Sequence, residues 1–465
     1  MLINIIIKEL KNNLTSLRFL LTLVLTLIMI IISTFIFVGQ YHEKLTDFRE
    51  LENKKNEQLI DNSNNLSSLA SQQQTIHLSP TRMELIAEGG IKHLPKMFRV
   101  STFQIYEPEF VSTENNFMNR FTNIDWTFII AFLLSFFAIL LTYDAATGEK
   151  SDGTLRLLLS HSVSRSTVIS SKYLSALITI VIPLILGIIL SLLLAAFFGQ
   201  VAYSSLEIAK IIFYTIAALF YLSIFMLFGL LVTSLTKNSV TSIIILLFIW
   251  VISAILIPNS GGKIAAKFFQ IPTREQIDQQ IRDKRSEISD AHMAEYEMTF
   301  AWNGDPRAEW VPYRCRAVNA MADARNQINH DYMNQRINQV KRAKSILKIS
   351  PTTVFSSLSE QICTTGLDHF EYFYQQIVDY RNQLRQFIIE TDKSDPDSPH
   401  QIYEWESSPM SQKPVNSNAI PRFQEKELFL IKTIEKAWSN FAILIVFNSV
   451  LFIAVFVAFG RYDVR

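Results

Sequence analysis

The chain has 465 residues, 49% of them hydrophobic, with 34 Phe and a formal net charge of +1. That balance excludes a nucleic-acid binder, which needs a concentrated basic surface. The apolar residues stand in blocks, unlike those of a soluble core.

A helix needs roughly 18 or more apolar residues to cross the ~30 Å hydrocarbon layer. Six stretches meet that condition: 19–38, 126–143, 173–198, 211–235, 239–257 and 439–460. None contains Asp, Glu, Lys or Arg. The first exceeds the usual length of a signal-peptide core, and no small-residue cleavage site follows Phe35-Ile36-Phe37-Val38, so it reads as a retained span.

Lys and Arg of short loops stay in the cytoplasm, whereas long loops translocate largely regardless of charge. With the N-terminus inside, the cytoplasmic segments carry Lys8, Lys11 and Arg18, then Lys150, Arg156, Arg165 and Lys172, then Lys237, then Arg461 and Arg465. The short outer loop 199–209 carries none, and Lys210 sits at a boundary from which it can snorkel. The expected fold class is therefore an all-α polytopic membrane protein of the cytoplasmic membrane, with six transmembrane helices and both N- and C-termini cytoplasmic. Two extracytoplasmic insertions complete it, mainly α with some β in the first.

The first insertion, 39–125, opens with Leu45, Phe48, Leu51 and Leu59 at helical spacing, which predicts an outward extension of the first span. Asn62 to Gln74 reads as a polar loop, and Met97 to Ser112 holds a strand or two. The second insertion, 258–438, reads as helical over 273–298, 314–347 and 351–389, with a Thr273/Gln276 capping pattern. A connector follows from Asp392 to Pro421, whose prolines forbid a continuous helix. Cys315 and Cys363 both lie in this insertion. A disulfide between them, favoured by an oxidising exterior, and two separate buried thiols fit the sequence equally well.

No ionisable residue falls inside a span, so proton coupling through a buried carboxylate is not expected. The chain has no phosphate loop, zinc helix or nucleophile elbow, so we expect no ATP hydrolysis by this chain and assign no catalytic residue, cofactor or metal. His292 with Met293 and Met298, and His330 with Met333, read as scattered surface residues without ligand spacing. Tyr214, Tyr221, Asn440 and Asn448 are expected to form interhelical hydrogen bonds, worth about 1 kcal/mol each.

The informative segment joins the second and third apolar runs: Asp144-Ala-Ala-Thr-Gly-Glu-Lys-Ser-Asp-Gly-Thr-Leu-Arg-Leu-Leu-Leu-Ser160, continuing to Ser164-Arg165 and Lys172. Leu155, Leu158 and Leu159 share one helical face, with Arg156 on another, so a short amphipathic helix beginning after Gly153 is predicted for the membrane surface or a partner protein. An ordinary interfacial helix has the same composition.

This block resembles the signature of ABC type-2 permeases: an acidic residue before Gly-Thr-Leu, a Leu-rich helix, and a Ser-Arg pair and a Lys leading into the next span. The matching positions are Glu149, Gly153, Thr154, Leu155, Ser164, Arg165 and Lys172. The chain departs from the pattern at Ser162, where Pro is frequent, and at Ser171, where Gly is frequent. The segments 1–19, 78–90, 350–381 and 461–465 are similar, in order, to a subgroup with two enlarged outer loops.

The resemblance implies an exporter permease that pairs with a second permease subunit and two cytoplasmic ATP-binding cassette ATPase subunits in the lipid membrane. It implies a coupling helix near 154–160, with Glu149, Asp152, Arg156 and Arg165 on its polar edge against the ATPase. A transmitter whose outer domains act on a partner, and a sensor or scaffold with no ATPase, are the competing readings. The spans favour no substrate class.

Overall fold

The computed structural model describes residues 2–89, 94–106, 124–151, 153, 164–303, 310–402, 409–427 and 430–461. Helix α1 (Leu2–Leu14) is amphipathic and buries none of its residues fully. Ser16 then accepts a hydrogen bond from Phe19 N and starts α2 (Leu17–Asn62), one unbroken helix of 46 residues. At 1.5 Å per residue it is about 69 Å long, roughly twice the ~30 Å hydrocarbon layer. The extension expected beyond the first apolar run is thus a continuous helical stalk.

The inner half of α2 shows which solvent it faces. Leu20, Leu21, Val24, Leu25, Ile28 and Ile32 are exposed, while Thr22, Thr26, Ser33 and Thr34 are buried. Apolar residues outside and small polar ones inside suit helix packing in lipid, where small side chains let backbones approach. Beyond α2 come α3 (Leu66–Ser71), β1 (Gln74–His77), a 3-10 turn at Arg82–Leu85, β2 (Met97–Val100) and β3 (Ile105–Tyr106). The strands form one antiparallel sheet in the order β1-β2-β3, with Ile76 opposite Phe98.

The next apolar run forms α4 (Trp126–Leu140), capped by Asp125 and widened into a π-helix at Ile129–Leu134. It is shorter than the sequence predicts, because residues 141–146 leave the helix as turns. After α5 (Thr147–Ser151) come α6 (Arg165–Gly199), α7 (Ser205–Leu235) and α8 (Ser239–Asn259). With α2 and the last helix, these make five helices long and apolar enough to cross a membrane among the described residues. Gly187 permits a close approach: a Cβ there would stand 2.2 Å from Ile30 Cδ1, so α2 and α6 pack on a missing side chain.

The second insertion begins with α9 (Gly261–Phe268) and a long hairpin, α10 (Arg274–Asn303) with α11 (Trp310–Leu347). The run expected to be one helix over 351–389 is broken in two. α12 (Pro351–Cys363) ends where Thr364 adopts the left-handed conformation, and α13 (Leu367–Lys393) follows. The last helix is α14 (Leu430–Gly460).

α12 does not belong to the outer mass. Val354, Phe355, Leu358 and Ile362 are buried in the same core cluster as the apolar helices. Ser350 caps it and donates to Ser253 O of α8 at 2.5 Å, and Phe355 stacks on Tyr221 near the middle of α7 at 4.5 Å and 13°. Tyr221 in turn donates to Ala131 O at 2.8 Å and pairs with Thr352 Oγ1 at 3.0 Å. At its far end, Gln361 Oε1 accepts from Asn440 Nδ2 at 2.9 Å. α12 therefore runs from mid-bundle to the bundle's end without crossing it.

Residues 83–87 enter the same core beside Trp126, with Thr127 N donating to Ile86 O at 2.9 Å. Gly89, at φ +64°, seals the junction: a Cβ there would stand 2.8 Å from Thr365 O.

The two insertions build one outer body, not two. Phe98 of β2 packs against Phe370, Phe373 and Tyr374 of α13. The tip of α2 with α3 buries Leu59, Leu66 and Leu69 against Leu384, Ile388 and Met410. Val415 N donates to Ser63 O at 2.7 Å. Buried Asp392 organises the connector, accepting from Ser398 Oγ and Ser411 N at 2.7 Å each and contacting His400 Nδ1 at 3.0 Å.

Cys315 and Cys363 are both buried free thiols. α11 meets α12 through the Lys344–Glu360 ion pair at 2.6 Å, and Lys344 stands about 44 Å along α11 from Cys315 at 1.5 Å per residue. A disulfide needs Cα atoms about 4.4–6.8 Å apart, so here the alternative of two separate thiols holds.

Candidate functional site

The segment that carries the motif lies at the end of the bundle where α1 packs on α6. Its first half folds as the turns 141–146 and α5, and Asp144, Thr147 and Glu149 reach different helices. Arg18, in the first turn of α2, forks onto Asp144 at 2.8 and 3.1 Å, donates to Tyr143 Oη at 3.0 Å and lies 4.8 Å from the centre of that ring. A guanidinium matches a carboxylate in this bidentate way and a lysine does not.

Deeper in, Lys172 of α6 is held between Glu149 of α5 at 2.7 Å and Glu9 of α1 at 3.3 Å. The lysine side chain is 5% exposed and the two carboxylates 19% and 14%, so the cluster is largely withdrawn from water. Burying charge is costly unless it is paired. Burial pushes the Glu149 carboxyl above its ordinary range, with Lys172 opposing the shift and Glu9 adding to it.

The neutral side of α5 is fixed as well. Thr233 Oγ1 of α7 accepts from Ala146 N at 3.3 Å and Thr147 N at 3.2 Å, and Thr147 Oγ1 pairs with Ser239 of α8 at 2.9 Å. Gly229 of α7 leaves room for Thr142, whose Oγ1 would lie 1.9 Å from a Cβ at that position. Arg165 donates to Gly460 O at 2.8 Å and Phe459 O at 3.4 Å. A cation at those end carbonyls of α14 is favourable against the helix dipole.

The motif residues thus have different fates in the fold. Glu149 and Lys172 are brought together, with Glu9 as a third member that no local pattern announced. Glu149 and Arg165, expected on the polar edge against the ATPase, both also contact helices of the chain itself, Glu149 half-buried and Arg165 exposed. Gly153, at φ +72° and exposed, ends α5 in a conformation that favours glycine. Asp152, Thr154, Leu155 and Arg156 lie outside the described residues, as does the expected helix after Gly153.

The family model for the ABC-2 family transporter protein matches residues 3–464. The chain belongs to the ABC-2 transporter family. As a member, it is a permease component of an ABC transporter, and the family's association with a cytoplasmic ATPase subunit accounts for the missing phosphate loop. No curated protein matches the chain. The motif segment joins the second and third apolar runs. Here its visible half contacts α2, α6, α7 and α8 together.

Proposed function

We propose that this chain is the permease half of an ATP-driven exporter, working as a pair of permease subunits with two ATP-binding cassette subunits. In this reading α4 completes six spans, both termini and the 144–172 segment are cytoplasmic, and the α12 end of the bundle faces outward. The observation that carries the proposal is the Glu9–Lys172–Glu149 cluster directly behind the motif. A push on the segment after Gly153 by nucleotide-driven closure of the ATPase pair would reach α6 and α1 through one buried lysine. Such coupling requires that ATP binding favour one arrangement of the helices over another.

The test is recovery of an ATP-binding subunit with the tagged full-length chain, followed by reconstitution of the complex in liposomes. Glu149→Gln should uncouple transport from ATP hydrolysis while the complex still assembles. Absence of any ATPase from a preparation that keeps the membrane complex intact would refute the reading and favour a scaffold. A cysteine at Gly153 that reacts with an impermeant thiol reagent outside intact cells would refute the orientation.

One observation favours a second reading, a transmitter that moves nothing across the membrane. The outer body is a single unit joined to the long stalk of α2 and to α13. Substrate-independent ATP turnover that changes protease sensitivity of the outer body would support the transmitter over the exporter.

A further inference from the structure

At the end of α14 away from Arg165, that helix meets α11, α12 and α13 around a cavity of about 260 Å³. Its wall is basic. Lys341 and Lys344 come from the end of α11, Lys348 from the turn just after it and Lys436 from α14. Lys344 is matched by Glu360 at 2.6 Å, Lys341 by Glu371 at 2.6 Å and Lys436, more loosely, by Asp368 at 3.5 Å. Lys348 has no carboxylate within ion-pair distance among the described residues, so the cavity keeps a positive charge.

A second observation is independent of that charge. Asn440 also lines the cavity and is 1% exposed. Its Nδ2 donates to Gln361 Oε1 at 2.9 Å, while its Oδ1 has no donor. Gln361 spends its own amide nitrogen on Asp368 at 3.2 Å, which fixes the orientation of both amides. A buried acceptor without a donor is a cost that a ligand hydroxyl or ammonium would remove.

The surroundings say what kind of molecule reaches this place. On the α14 side Trp438 is 57% exposed and Ile434 45%; on the α11 side Ile349 is 72% exposed and Ile346 49%. Exposed Trp with Lys at the end of an apolar helix marks the water–lipid boundary. Apolar surface therefore flanks the basic cavity on both sides.

We propose that the cavity binds the headgroup of a membrane glycerophospholipid. Its phosphate lies against Lys348 and Lys344, a headgroup hydroxyl or ammonium donates to Asn440 Oδ1, and the acyl chains run along Ile346, Ile349 and Ile434. A soluble phosphate ester shares the phosphate chemistry but leaves those apolar flanks in water.

The experiment is native mass spectrometry of the full-length chain in mild detergent, before and after delipidation, with short-chain phosphatidylglycerol and glycerol 1-phosphate as probes. The native chain should retain phospholipid. After delipidation it should rebind the short-chain lipid at least about tenfold better than the soluble ester, because buried methylenes add affinity. Lys348→Glu should weaken lipid binding about tenfold, the effect of reversing one surface charge near a headgroup, and Lys348→Arg should retain it. Ser345→Glu, a second and exposed wall position, should act like Lys348→Glu at an unchanged melting temperature. Equal binding of lipid and soluble ester would overturn the lipid assignment. Undiminished lipid retention in Ser345→Glu, or in a folded Lys348→Glu chain, would overturn the site.

Discussion

The two ends of the helical bundle are held together by different physics. The base, around α5, is pinned by charges: Arg18 on Asp144, Lys172 between two glutamates, Arg165 on the carbonyls of α14. Within the bundle, α12 is held by aromatic stacking and neutral hydroxyls, with Tyr221, Thr352, Ser350 and Ser253 in hydrogen-bonded contact, while its Glu360 pairs with Lys344 of α11 on the other side. Point charges can be exchanged or released by a partner's charge. A stacked, apolar wedge resists such exchange, which suits the base to receiving a signal and the wedge to keeping the bundle closed.

Single substitutions should separate the two. The largest effect is expected for Lys172→Met, which strands two buried carboxylates and should cost about 3–5 kcal/mol, read as a fall in melting temperature and faster proteolysis of α1. Adding Glu149→Gln should restore part of that loss, since charges in one cluster are not additive. Strict additivity of the pair would break the picture of a shared cluster. Next comes Phe355→Ala, which empties a fully buried site and should cost about 3 kcal/mol. Its effect should appear as protease sensitivity of the outer body while α1 stays protected.

Gly229→Ala should cost about 1–3 kcal/mol by driving Thr142 off α7, and Thr142→Ala should relieve part of it. Tyr221→Phe removes one hydroxyl at mid-bundle and should cost about 1 kcal/mol. A loss as large as that of Phe355→Ala would mean that hydrogen bonding, not packing, holds the wedge.

The smallest effect is one of pH on the outer connector. Lys413 and Ser411 hold the Asp395 carboxyl at about 2, below its ordinary range. A depressed carboxylate stabilises the fold above its unfolded value, near pH 3.9, and that contribution is lost as pH falls toward about 2. The protection of amides over 409–420, corrected for the intrinsic pH dependence of exchange, should therefore fall between about pH 4 and pH 2, with the base of the bundle unaffected by this group.

Much of this was readable from residue order. The charge-free runs marked the long apolar helices, Leu45, Phe48 and Leu51 marked the stalk, and the alternation after Met97 marked two of the sheet's three strands, whereas Asn62 to Gln74, read as a polar loop, holds α3. α12 was not readable as part of the bundle because its 13 residues fall short of a span and its Ser and Thr look hydrophilic until Tyr221 and Ser253 satisfy them. The fusion of the two insertions depends on pairs such as Gln74 with Tyr380, far apart in the chain and bearing no local mark. At the candidate site, Glu149 and Lys172 stood out in the motif, whereas Glu9 required the folded return of α1.

The continuity of α2 has a mechanical consequence. A rod of about 69 Å that pivots near Arg18 by only 5° sweeps its far tip through about 6 Å. No hinge interrupts it before Asn62, so small rotations at its first turn would be written, magnified, into the position of the sheet packed near its tip.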